Sequence, residues 1–176
     1  MNIFVVPSWF PSKEHPISGV MIKEQAEAFC QFYPLVNMGI SVWGQQEEAY
    51  LLWLKDHIHN LRKLVSSDTS PYSVPLLPNL KIYSTPTFTW SRKLFAGNFK
   101  NVVKANLKNL KEFESEYGPA DIIHAHVGFP AGLIAVEVAK QTGKPYCLTE
   151  HMGPFPWPHT KDRHGNMLKY YKQPYL

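Results

Sequence analysis

The stretch DIIHAHVGFPAGLIAVEVAK, residues 121–140, places His124 and His126 two positions apart at the end of an apolar run. Alternation along a strand sends both imidazoles to one face. Glu150 and His151 close a second apolar run, in YCLTEH. Three chemistries suit such a group. Histidines at i and i+2, with His151 as third donor, can chelate a transition metal as in an HxH hydrolase site. Against this, no Asp or Cys stands nearby to complete a set, and His124 lies one strand step deeper than His126. The same residues can be ordinary packing groups. An imidazole held rigidly at a strand terminus also supplies the directional hydrogen bonds that sugar hydroxyls require. Residue types and spacing leave all three open.

The elements that must hold these side chains follow from periodicity. Residues 2–6, NIFVV, are β-rich without polar alternation, which predicts a strand covered on both faces. A loop with Pro7, Pro11 and Pro16 follows, and Ser18 is placed to cap a helix whose Ile22, Ala26, Phe29 and Cys30 share a face. Residues 35–43 read as a second strand. Leu51, Leu54, Ile58, Leu61 and Val65 recur at helical spacing and predict one amphipathic helix over 47–65. Ser and Pro make 66–79 a loop, LKIYS after it is a third strand, and 86–97 has no assignable period. Phe99, Val102, Val103, Asn106, Leu110 and Phe113 trace a long helix from Asn98 to the stop at Gly118 and Pro119. Residues 120–126 then form a strand. Ala131, Ile134, Ala135, Val138 and Ala139 stripe the next helix, Gly143 ends it, and 145–151 is a further strand. Strands alternating with helices imply an α/β, doubly wound, Rossmann-like, mostly parallel sheet with right-handed crossovers. Its ligand edge lies at the strand C-termini, where His126, Glu150 and His151 sit.

With 176 residues, 44% hydrophobic and 18% charged, the chain can bury one core. Residues 1–151 make the domain. Residues 152–176, rich in Pro, His and aromatics, are expected to form a loop over the cleft and a short helix near NMLKYY, an incomplete end of the same domain. No apolar run approaches the ~20 residues of a bilayer span, and the N-terminus lacks a basic start and cleavage site, so a cytoplasmic chain is expected. Cys30 and Cys147 have no metal-type spacing and suit thiols in a reducing compartment. A net charge of +4 favours phosphates or an anionic membrane surface. Nucleic acid is not expected, since zinc-finger spacing and an aromatic RNA-binding signature are both missing. The loop PSWFPSKEHPISG has one glycine where a dinucleotide fingerprint needs three, which disfavours nicotinamide and flavin. Gly19 either exposes backbone N–H groups to an anion or permits close packing. Lys100, Lys104, Lys108 and Lys111 form a basic stripe at helical spacing. That is ordinarily a solvated face; its sharper reading is docking on anionic lipid, with Trp43, Trp53 and Trp90 as interfacial anchors.

Two stretches carry a family resemblance: VVPSWFPSKEHPISGVMIKEQAEAF, and DIIHAHVGFPAGLIAVEVAKQTGKPYCLTEH. Together they resemble the N-terminal half of retaining glycosyltransferases of the GT-B fold, the glycogen-synthase-like and mannosyltransferase-like group called family four. The D-I-I-H-A-H, A-G, K-P, T-E-H pattern is similar to that of bacterial members. The resemblance implies two Rossmann-like domains around a cleft, with a nucleotide-sugar donor held by the C-terminal domain and the acceptor by the N-terminal one. This chain would be the acceptor-side domain, without the donor-binding domain and not catalytic by itself. Gly19 matches the loop that approaches donor phosphates and acceptor, with Ser18 where many members have a second glycine. His126 matches the histidine that hydrogen-bonds the transferred sugar near the reacting carbon. Glu150 and His151 match the cleft wall, followed here by Met152 and Gly153 in place of two serines. No residue is assigned as nucleophile or base, and no metal or other cofactor is obligatory. The implied reaction is hexosyl transfer with retention to a glycan or lipid-linked acceptor in polysaccharide biosynthesis, by a protein peripheral on the inner face of the plasma membrane. A stand-alone sugar or nucleotide-sugar binding module and an HxH metal-dependent hydrolase are the alternatives.

Overall fold

The computed structural model describes residues 1–53, 55–91, 95–151, 161, 163–167 and 172–175. It is α/β, with a mostly parallel mixed sheet and four helices among the described residues. The strands are β1 (Asn2–Pro7), β2 (Asn37–Val42), β3 (Leu51–Leu52), β4 (Tyr72–Leu77), β5 (Leu80–Ser84), β6 (Thr89–Trp90), β7 (Ile122–His126) and β8 (Tyr146–Thr149). The helices are α1 (Val20–Phe32), α2 (His57–Ser66), α3 (Phe99–Tyr117) and α4 (Leu133–Thr142). Six strands form one sheet in the order β4-β5-β2-β1-β7-β8, parallel except for β4 against β5, and β3 pairs with β6 in a small separate ribbon. No described helix is long and apolar enough to cross a membrane.

Each face of the main sheet has its own core. Phe4, Val6, Ile123, Ala125, Phe113 and Ile134 pack beneath α3 and α4, whereas Ile3, Val5, Ile40 and Leu80 meet Ile22 and Ala26 of α1. Each of the valine, leucine, isoleucine and phenylalanine side chains so removed from water stabilises the fold by about 1.5–3 kcal/mol. Gly39 inside β2 is explained by this packing: a Cβ there would lie 2.6 Å from the Phe113 ring, so α3 can seat that ring only over a bare backbone. Asn106 and Asn109 of α3 are buried because the Ser41 hydroxyl donates to Asn106 (2.7 Å), while Asn109 donates to Ser41 (2.9 Å) and to the Val42 carbonyl (3.0 Å). A hydrogen-bonded polar cluster thus fixes the register of α3 on β2.

Four expectations are corrected. Ser18 does not cap α1. The N-cap is Gly19, at φ +71°, and Ser18 Oγ instead donates to Gln46 Oε1 at 2.6 Å, tying the loop after β1 to the loop after β2. The helix predicted over 47–65 is divided into a short turn at Glu48–Tyr50, then β3, then α2. Asp56 caps α2 by accepting from the His59 N–H, and Asn60 bonds both backbone groups of Trp53, so local polar side chains override the apolar period. Leu54 lies outside the described residues. The loop predicted over 66–79 contains β4, an edge strand whose Pro75 is tolerated at the edge with a shifted register between Pro75 and Leu77. Finally, Trp43 is buried in the core and cannot anchor at an interface. Lys100, Lys104, Lys108 and Lys111 are solvated on α3, the ordinary reading of such a stripe. The cleft loop and most of NMLKYY fall outside the described residues. Residues 173–175 form a turn against α4, where the Tyr146 hydroxyl donates to the Pro174 carbonyl.

Candidate functional site

Chain order sets where a site can form. The chain moves outward from β1 through β2 to β5, then crosses by α3 to β7 on the other side of β1. Neighbouring strands β1 and β7 therefore send their following loops in opposite directions, the switch point where open α/β sheets bind ligands at the strand C-termini. Pairing of Val5 with His124 and Pro7 with His126 brings both histidines to the α1 side of that point, and β8 aligns Thr149 with His126.

His126 is 3% exposed, and its Nδ1 lies 2.7 Å from His151 Nε2. The rings are within 3° of parallel with centroids 5.0 Å apart. At that separation the nitrogens meet edge to edge in a common plane, so one ring donates and the other accepts. His124 lies against His126 at 4.2 Å between centroids, and its Nε2 meets Thr149 Oγ1 at 2.8 Å. Burial, followed by the neighbouring His124 and His151, pushes the His126 pKa down to about 3. Burial, then His151, also lowers that of His124. Both rings are neutral at physiological pH. With Nδ1 committed, His126 has Nε2 for any ligand hydroxyl.

The loops around the pair are anchored by side chains. Glu150 does not stand open on the cleft wall: Oε2 accepts from the Gly128 N–H (3.1 Å) and Oε1 from the His151 N–H (3.0 Å). It thereby holds the loop after β7 to the segment bearing His151. Ser8, buried just past β1, accepts from the Ala131 N–H at 3.1 Å. Between these anchors Val127 takes φ +74°, a costly conformation for a β-branched residue, sustained here by its N–H bond to the Thr149 carbonyl. Gly19 sits where a Cβ would come within 2.4 Å of the Trp9 carbonyl oxygen, so close packing accounts for this glycine.

Two cavities border the site. One, of about 130 Å³, lies under α1 and is apolar apart from Gln25, His124 and His126. The other, of about 250 Å³, opens at the C-terminal ends of β1 and β2, with Trp9, Trp90 and Phe129 beside Ser8, Gln45 and Gln46. Flat aromatic surface beside amide and hydroxyl groups suits a polyhydroxylated ligand. His126 lines only the first. The structure thus brings His126, Glu150 and His151 together, while Ser18 and Gly19 belong to a neighbouring loop. Sequence reading missed Thr149, Ser8 and the aromatic-amide crevice. Ser8 and Trp9 directly follow the first strand, and that was the available signal. His124 Nε2 and His126 Nδ1 turn to separate partners, and among the described residues no group of three or more His, Cys, Asp or Glu is arranged to hold a metal ion. No protein-family model matches the chain, and no curated protein matches it.

Proposed function

We propose that this chain is the acceptor-side domain of a GT-B retaining glycosyltransferase, one that moves a hexosyl group from a nucleotide-sugar donor to a glycan or lipid-linked acceptor. The reading rests on the neutral His126 ring, held edge to edge with His151 at the switch point where β1, β7 and β8 end. A neutral imidazole with one nitrogen fixed presents the other to a hydroxyl in a set direction, and its lack of charge suits a dry sugar pocket. Glu150 supports the pair by fixing the backbone of Gly128 and His151. In the proposed reaction these groups orient sugar hydroxyls and exclude water. Stabilisation of the leaving diphosphate falls to donor-side basic groups and helix N-termini, with no obligatory metal.

Ligand-detected NMR on the purified protein tests this, with a panel of hexoses, oligosaccharides and nucleotide sugars. Saturation transfer to at least one sugar is expected, and His126→Ala should abolish it while His126→Asn, which keeps a hydrogen-bonding group, retains part. Absence of transfer to every sugar, or wild-type transfer in a folded His126→Ala protein, would overturn the reading.

A further inference from the structure

The α1 side of the sheet is incompletely filled. Helix α1 packs over β2, β4 and β5, and the residue it sets against Ile3 and Val5 is the small Ala26. A cavity of about 130 Å³ is left between these side chains and Ile22, with the exposed Gln25 and Phe29 at its mouth. That is close to the about 150 Å³ at which an apolar protein cavity takes benzene. The polar part of its lining is Gln25, His124 and His126. His126 is 3% exposed and spends Nδ1 on His151, while its Nε2 has no partner among the described residues. Nε2 is not sealed in protein either, because no fully buried side-chain nitrogen or oxygen among the described residues lacks a partner. It meets the cavity that its ring lines. A nitrogen left unbonded against apolar walls costs free energy that a ligand hydroxyl recovers.

We infer that the cavity under α1 binds a small, flat, apolar molecule carrying one neutral hydroxyl, of the phenol class, with its oxygen at His126 Nε2. The walls select the ring. Phe29 offers an aromatic face and Met38 a thioether, both of which favour an aromatic body over an aliphatic one. The nitrogen selects the hydroxyl, which accepts from Nε2–H in one tautomer and donates to bare Nε2 in the other. Burial keeps the imidazole neutral, so a neutral oxygen matches it better than a phenolate. The inference goes beyond the sugar reading and does not rest on it: it shares His126, but its selectivity comes from α1 and β1 side chains which that reading does not use.

Titration of the isotopically labelled protein with phenol, followed through its amide NMR signals, tests it. Shifts should centre on Val5, Ile22, Ala26 and His126 and saturate with a Kd of about 1 mM or tighter. Toluene, matched in size but without the hydroxyl, should bind at least about threefold more weakly. Ala26→Leu fills the cavity and should weaken phenol at least about tenfold without lowering the unfolding temperature. Phe29→Ala, at the exposed mouth where the fold is not at stake, should weaken it at least about threefold. The inference is overturned if phenol shifts lie elsewhere or do not saturate, or if toluene binds as tightly. Wild-type phenol affinity in Phe29→Ala, or in folded Ala26→Leu, overturns it too. Phenol bound where no sugar binds would remove the sugar reading alone; sugar bound where phenol does not would remove this one alone.

Discussion

Replacing His126 by Asn probes the central feature of the site, a histidine held neutral by burial. In the unfolded chain this imidazole binds a proton near its ordinary value of 6.5; in the fold that proton binds only near 3. The stability that depends on the neutral ring is therefore complete above the unfolded value and is lost as pH falls from 6.5 towards 3. Across the whole window the loss approaches about 5 kcal/mol, at 1.36 kcal/mol per pKa unit. Between about pH 7 and about pH 4.5 it amounts to about 2.5 kcal/mol, a figure set by the unfolded value because the folded ring is still neutral at the lower pH. Asn is close in size, can still bond His151 and does not titrate. Urea unfolding at the two pH values, followed by circular dichroism, reads the difference. With a slope of about 2 kcal/mol per molar, the wild-type midpoint should fall by about 1 M more than that of His126→Asn. Equal shifts in the two proteins would mean that His126 is not held neutral by the fold.

Gly19→Ala forces a Cβ against the Trp9 carbonyl and a side chain into the left-handed region. It should cost about 2–4 kcal/mol in urea unfolding, and an unchanged midpoint would show that the loop after β1 yields to a side chain. Asn109→Ala removes one hydrogen-bond partner each from Ser41, the Thr85 hydroxyl and the Val42 carbonyl. A loss of about 2–4 kcal/mol, read by thermal unfolding, is expected, against near-neutrality if water enters in its place. Glu150→Ala removes the acceptor for the Gly128 and His151 amides. Those two amides should exchange with deuterium about tenfold faster or more while amides of β1 and β2 keep their protection; uniform change across the sheet would point to global unfolding instead.

Much of the architecture was legible in residue spacing. Strands β1, β5 and β7 and helices α1, α3 and α4 stand where the sequence predicts them, because each has an apolar pattern that only one kind of element can bury. Legibility failed where side chains compete with period. The apolar spacing over 47–65 is genuinely helical, yet Asp56 and Asn60 offer the backbone other partners and divide the segment. Period also does not say which way a helix faces, and α2 turns its stripe outward because Asn60 and Lys63 hold its polar side inward. At the site, the sequence by itself placed His126, Glu150 and His151 at the C-terminal edge of a parallel sheet, with His124 one strand step deeper. Only the tertiary structure decided that β7 and β8 pair so that His126 meets His151, that Glu150 serves two backbone amides, and that the switch falls between β1 and β7. The reason is physical. A strand's own residues fix which face each side chain takes, whereas register and strand order depend on contacts between segments more than one hundred residues apart.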